Sequence, residues 1–378
     1  MKFAQYEFSG PRERLLLHGE AEDIGEDSGH LWLRDADDNS IADQTRAIPD
    51  HEAALRLALD ELKKANYASA SAIGHRVVNG GSHYSAPQKI TPQILTDLRN
   101  LIPLAPLHLP AEIKIIEAVA SQARQIPQVA CFDTAFHRKL PEIAQRFPLP
   151  RKFFDEGLRR YGFHGLSYEY VLQELGPVAK GQRLIIAHLG NGASLAAIKD
   201  GSPVDTSMGL TPTGGVMMGT RTGDLDPGVL VYLLREKKYD ASKLEHLVDA
   251  ESGLLGVSEV TADMRTLLAK RGSDPRVDQA IAMFCRSIRK EIGAFAAVLG
   301  GLDMLVFTGG IGEHASPVRE EICRDLGHLG LRLDPARNDA RADVISTVQS
   351  TCQVRVIATN EELMIARHTR AVVFGGAS

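Results

Sequence analysis

A chain of 378 residues exceeds what one ordinary hydrophobic core organises, so two domains are expected; 44% hydrophobic and 24% charged residues fit a folded globular enzyme. With 43 Lys and Arg against 48 Asp and Glu, the net charge of −5 argues against a nucleic-acid or anionic-membrane partner. Cys131, Cys285, Cys323 and Cys352 are scattered without CxxC spacing, there is no membrane-length apolar run, and the start MKFAQYEFSG lacks a signal-peptide core, so a disulfide framework, a zinc site and a secreted or membrane location are not expected and a cytoplasmic one is.

Apolar periodicity switches repeatedly between strand-like and helix-like, an α/β signature. His51 to Tyr67 reads as a helix with Leu55, Leu59 and Leu62 on its apolar stripe, followed by a strand over Ala72–Val78 that Asn79, Gly80 and Gly81 break. Thr91 suits an N-cap for a helix through Leu101, and Pro110 the first turn of another to about Gln122. A strand is expected from Gln128 to Phe136, then an inter-domain bend near Ala135 to Arg159, where Pro141, Pro148 and Pro150 cluster. Arg183–Leu189 and Ser194–Ile198 read as strands meeting at Gly190-Asn191-Gly192, with Asp200-Gly201 as a hairpin turn. Val277–Leu299 reads as a long helix, and Asp303–Phe307 as a buried strand running into a glycine turn, Thr308 to Gly312, that opens a helix near Ser316. A last strand, Val354–Ala358, precedes a helix from Glu361 to about Val373.

Three glycine-rich strings follow strands, HLGNGAS (His188–Ser194), GGVMMGTRTGD (Gly214–Asp224) and TGGIGE (Thr308–Glu313), and such turns expose N–H groups that cradle phosphates. No GxxxxGK[ST] string is present, which excludes a P-loop. Gly310 to Ala315 satisfies GxGxxA, so a nicotinamide enzyme is an alternative, with Asp334 as its ribose ligand. Arg76 and Arg221 lie beside glycines, where a planar guanidinium fork can hold a carboxylate or phosphate. His108, His164 and His188 sit at strand or loop ends and can donate to an anion; the alternative for each is a satisfied loop histidine. Asp133, Asp205, Glu361 and Glu362 are candidate Mg²⁺ ligands, or else caps of turns and helices.

With these strings in place, the chain resembles the acetate and propionate kinase family from Lys2 to about Thr369, through GHRVVNGG, LAPLHLPAEI, FDTAFHRKLP, RRYGFHGLSYEYV, HLGNGASLAAIKDGSPVDTSMGLTPTGGVMMGTRTGDLDPG, ESGLLGVSEVTADMR, FTGGIGEH and TNEELMIAR. The resemblance implies an α/β fold of two actin-like, Hsp70-like and sugar-kinase-like (ribonuclease H-like) domains: an N-terminal one over 1–134, completed by a C-terminal helix over 366–378, and a nucleotide-binding one over 135–365, with substrates in the cleft. It implies Mg²⁺-dependent, reversible phosphoryl transfer from ATP to acetate, giving acetyl phosphate and ADP, in a homodimer. Its pattern gives Asp133, Arg221 and His164 catalytic roles, and Glu361 the metal with Asp133. Arg76, Val78, Leu107, His108, Phe163 and Pro212 would bind the acid, with Val78, Leu107, Phe163 and Pro212 around its methyl group. His188, Leu189, Gly190, Asn191, Gly192, Asp263, Met264, Arg265, Gly309, Gly310, Ile311 and Gly312 would bind the nucleotide.

The chain departs from that pattern in four ways. An NxGSSS-type strand and turn expected before Met1-Lys2-Phe3 is lacking, Leu109 replaces an asparagine, Leu166 and Tyr168 interrupt a GTSH segment, and His314 replaces an asparagine. The first departure carries two expectations: an internal translation start in a longer, active protein, or a nucleotide-binding relative with little transfer activity.

Overall fold

In the computed structural model, residues 1–9 and 13–375 are described; the last three residues of the 366–378 segment lie outside them. Two compact units form, Met1–Ala135 together with the chain from Asn360 onward, and Phe136–Thr359.

The first unit opens with an antiparallel meander, β1 (Lys2–Glu7), β2 (Arg14–Glu22), β3 (Gly29–Asp35) and β4 (Ser40–Arg46), none of which the apolar pattern discloses. Leu31 and Leu33 are buried and alternate with the less buried His30, Trp32 and Arg34, so one face of this sheet carries the core. The helix His51–Lys64, N-capped by Asp50, covers that face. Its buried stripe is Ala54 and Ala58 rather than the expected leucines, and Leu59 is exposed. Alanine at that spacing lets the helix approach the sheet closely, while Leu57 and Leu62, the latter one of the expected leucines, pack partly buried against the same cluster.

The unit's second sheet is three-stranded. β5 (Ile73–Val77) runs parallel to β7 (Gln128–Phe132), which pairs on its other edge with the short β6 (Gln88–Lys89). The parallel crossover carries the helices Pro92–Asn100, capped by Thr91, and Leu109–Gln122. β7 ends at Phe132, four residues earlier than expected, because Ala135 N–H bonds back to Phe132 O and Phe136–Lys139 form a 3₁₀ turn. The helix Glu361–Phe374 packs on β5 so closely that a methyl group at Gly74 would lie 2.2 Å from Thr369 Oγ1.

The second unit is built on one five-stranded sheet of order β10-β9-β8-β11-β12: β8 (Arg183–Leu189), β9 (Ala193–Lys199), β10 (Ser202–Thr206), β11 (Met304–Thr308) and β12 (Gln353–Val356). β8, β9 and β10 pair antiparallel, whereas β8, β11 and β12 pair parallel. β8 and β9 are apolar on both faces, as strands between two helical layers must be. Helix Gly165–Leu175 buries Tyr168, Val171 and Leu175 against Leu184, Ile186, Ala196, Ile198 and Val306. The 25-residue helix Pro275–Leu299, capped by Asp274, packs on the same sheet. The expected glycine turn after β11 is instead a short helix, Gly309–His314, followed by a separate one, Ser316–Cys323. Among the described residues no helix is long and apolar enough to cross a membrane.

Candidate functional site

In the first unit, the parallel register of β5 and β7 brings Arg76 beside Asp133, the residue that continues β7 by bonding Val77 O. Arg76 Nη2 lies 2.5 Å from Asp133 Oδ2, and its Nε lies 3.1 Å from both carboxylate oxygens. Glu361 Oε2, in the first turn of its helix, stands 3.5 Å from the same Nε. Asp133 is wholly buried, while the Arg76 side chain keeps 40% of its surface exposed. Against a desolvation penalty, the carboxylates of Asp133 and Glu361 hold the guanidinium's pKa well above its ordinary value. This arginine is therefore a fixed cation, with its inner edge bound and its outer edge open.

Glu112, which the sequence reading missed, accepts a 3.1 Å hydrogen bond from Val78 N–H. Burial pushes its carboxyl up to about 7, with the bond from Val78 and the charge of Arg76 opposing. Val78 is buried, whereas Leu107 is exposed. His108 immediately precedes the helix Leu109–Gln122.

In the second unit, two left-handed residues, Gly162 (φ 72°) and His164 (φ 58°), bend the chain just before helix Gly165–Leu175. At Gly162 a side chain is also excluded by space, since a methyl group would lie 2.5 Å from the His137 ring. The bend places His164 Nδ1 2.8 Å from Ser194 Oγ. The His164 imidazole stacks on that of His188 at 4.3 Å between centroids, and His188 Nδ1 lies 2.8 Å from Ser167 Oγ. Phe163 is buried and its carbonyl accepts a bond from His137 Nε2.

The turn Gly190–Gly192 joins β8 to β9. A methyl group at Gly192 would stand 3.3 Å from His164 Nε2 and 3.4 Å from Arg221 Nη1, so imidazole and guanidinium both reach this one glycine. Arg221 is aimed by its own loop, where Nη1 donates to Pro212 O at 3.1 Å. Gly215 and Asp224 close that loop through two hydrogen bonds, and Gly219 N–H bonds Asn191 O to seat it on the turn. Leu189 O packs against Gly309 at the ends of the adjacent parallel strands β8 and β11. Hence Leu189 to Gly192 and Gly309 to Gly312 lie at the carboxyl ends of two adjacent strands, where ligands of open α/β sheets bind.

Two nucleotide candidates have evident structural duties. Asp263 caps its helix by accepting from Arg265 N–H, Thr266 N–H and Thr266 Oγ1, and Met264 is buried in the core. The nicotinamide alternative loses its support: Asp334 caps the helix Pro335–Asp339, and Gly310 to Ala315 form the body and C-cap of a short helix that already begins at Gly309, not a glycine turn that opens one.

The sequence model of the acetokinase family matches residues 1–367. The chain belongs to that family. It is 50% identical over 313 residues to the acetate kinase of Rhodopseudomonas palustris strain CGA009, covering 81% of this chain and 78% of that one. The crystal structure of Porphyromonas gingivalis acetate kinase superposes with a TM-score of 0.86 at 37% identity, covering 98% of this chain and 97% of the other. That of a propionate kinase from Francisella tularensis gives 0.90 at 34% identity, covering 95% and 94%. The fold is accordingly the two-domain, actin-like α/β class of acetokinases.

A kinase acting on ATP implies a metal ion. Among the described residues no three His, Cys, Asp or Glu side chains form a metal cage. Magnesium does not ask for one, because it retains waters and takes one or two carboxylates beside the substrate phosphates. Asp133 and Glu361, both within reach of Arg76, supply such a pair, so the residues of this acetokinase fit the ion.

Proposed function

We propose that the chain is an acetate kinase, transferring the γ-phosphoryl group of ATP reversibly to acetate to give acetyl phosphate and ADP. The reading is carried by the acetokinase match over residues 1–367, falling on a chain whose Arg221 and His164 flank one glycine turn. A carboxylate oxygen attacks the γ-phosphorus as the bond to the β–γ bridging oxygen breaks, and that electron pair leaves with ADP. An ionised carboxylate needs no strong general base, so alignment and charge neutralisation dominate.

In this reading Arg76, with Val78, Leu107 and His108, binds the acid, and Phe163 and Pro212 complete the surround of its methyl group. Arg221 and His164 donate to the phosphoryl oxygens during transfer. His188, the Leu189–Gly192 turn, Gly309–Gly312 and the Asp263–Arg265 segment hold the nucleotide. Asp133 and Glu361 would hold Mg²⁺, which when bound neutralises phosphate charge. A domain boundary near 134 and a cytoplasmic location, where ATP is available, belong to the same proposal; the return to the first domain is drawn at Asn360, where the closing helix begins, and not at the expected 366.

Propionate is the second reading, favoured by the propionate kinase among the structural relatives and by the exposure of Leu107. One methylene is worth only about 1–3 kcal/mol in an apolar pocket. Hydroxylamine trapping of the acyl phosphate formed from acetate, propionate or butyrate with ATP and Mg²⁺ tests the proposal. The expected order is acetate above propionate above butyrate in kcat/KM. ATP binding with no acyl hydroxamate from any acid would replace it with the nucleotide-binding reading.

We further propose a homodimer. Leu225, Val229, Val231, Tyr232 and Leu234 are all exposed, and the helix Pro227–Arg235 buries none of its residues, a surface suited to a second copy of the chain.

A further inference from the structure

The His164 imidazole sits at the end of a buried relay. Its Nδ1 is 2.8 Å from Ser194 Oγ, and the same oxygen is 2.5 Å from Tyr168 Oη. Ser194 and Tyr168 are fully buried, and His164 is nearly so. Tyr168 lies one helical turn after His164, while Ser194 follows the glycine turn on β9, so the relay ties the start of the helix to the strand beside the turn.

Hydrogen-bond direction along this relay is constrained. A neutral imidazole has one donor and one acceptor nitrogen. Protonating both rings of the His164–His188 stack would set like charges face to face at 4.3 Å, which disfavours a doubly charged pair. A phenol is a better donor than an aliphatic alcohol, so Tyr168 O–H donates to Ser194 Oγ. The serine's single proton then goes to His164 Nδ1, and bonds aligned head to tail reinforce each other in a dry interior. Nδ1 accepts, and the remaining proton sits on Nε2, the nitrogen that reaches the Gly192 turn.

We propose that Ser194 and Tyr168 are positioning residues that hold His164 as its Nε2–H tautomer, so that a neutral N–H donor faces the phosphoryl group without prior protonation. Tyr168 is one of the positions where the chain departs from its family's pattern, and this gives the departure a task. The inference rests on the phosphotransfer reading of the site.

Its test uses the full chain. Long-range ¹H–¹⁵N correlation spectra of the histidine rings, assigned with His164→Gln and His188→Gln, report the tautomer directly and need no turnover. Wild type is expected to show His164 protonated at Nε2 and bare at Nδ1, and Ser194→Ala to show a mixture. An Nδ1–H tautomer in wild type, or an unchanged spectrum in Ser194→Ala, overturns the inference. Tyr168→Phe keeps the ring packed and is expected to lower kcat about tenfold, the worth of one hydrogen bond, with KM for ATP unchanged. Unchanged kcat in that variant likewise overturns it. Absence of acyl phosphate from wild type would instead sink the parent reading, whatever the spectra show.

Discussion

Arg76 grips the buried carboxylate of Asp133 with two of its nitrogens, Nη2 at 2.5 Å and Nε at 3.1 Å from both oxygens. The pair is asymmetric, since Asp133 has no exposed surface while Arg76 does. Removing the arginine strands a buried charge, which costs about 3–5 kcal/mol. Arg76→Ala is thus expected to lower the urea midpoint sharply as well as to raise KM for acetate. Arg76→Lys keeps the charge but loses the fork, so its stability loss should be under half as large while the acetate KM still rises. Equal urea midpoints for wild type and Arg76→Ala would contradict the pairing.

Gly192 offers the complementary experiment, a change that should spare the fold and stop the chemistry. Its backbone is not left-handed, so alanine is conformationally allowed there. The new methyl group stands 3.3 Å from His164 Nε2 and 3.4 Å from Arg221 Nη1, in the space proposed for phosphate oxygens. Displacement of reacting groups on that scale costs on the order of 100-fold, so kcat should fall by about that factor while stability stays within about 1 kcal/mol. Gly223→Ala is the contrasting control. With φ 69° and a methyl group 2.5 Å from Gly215 O, it should destabilise the Arg221 loop itself.

Acid should loosen the second unit through His137. Burial lowers its pKa to about 4, against the bond its Nε2–H makes to Phe163 O. The folded value lies below the unfolded one near 6.5, so above that pH there is no effect. As pH falls from 6.5 towards 4 the unfolded chain binds the extra proton and stability drops. His137→Gln is expected to flatten this slope, read from urea midpoints at pH 4.5, 5.5 and 6.5.

The apolar helix Pro227–Arg235 predicts association. Val229→Lys combined with Tyr232→Lys should convert a dimer into a monomer in sedimentation velocity. A wild-type monomer at micromolar concentration would contradict the dimer reading.

Much of this was legible in the sequence where local signals act alone. Thr91 and Pro110 marked helix starts correctly because capping and fixed φ are local, and Arg183–Leu189 read as a strand because it is apolar on both faces. The β1–β4 meander escaped because Trp32 between Leu31 and Leu33, and the consecutive Leu15, Leu16 and Leu17, blur the period-two pattern, and the strands are defined by pairing with each other. The strings around Arg76, Arg221 and His164 marked candidate residues, but not that Glu112 backs Val78 or that Tyr168 and Ser194 stand behind His164. Those contacts join residues on different elements, and no spacing along the chain encodes them. GGIGE misled because glycines after a strand read as a turn, whereas Glu313 binds Gly309 N–H and draws the segment into a helix.

In the proposed reaction the γ-phosphoryl group passes to an oxygen of the acid itself. Incubating the chain with ATP, Mg²⁺ and acetate labelled with ¹⁸O in its carboxylate, then following ³¹P NMR, tests this directly. An acetyl phosphate signal shifted by bridging ¹⁸O and matched in amount by ADP is expected. ADP formed together with unlabelled inorganic phosphate, and no acetyl phosphate, would contradict it.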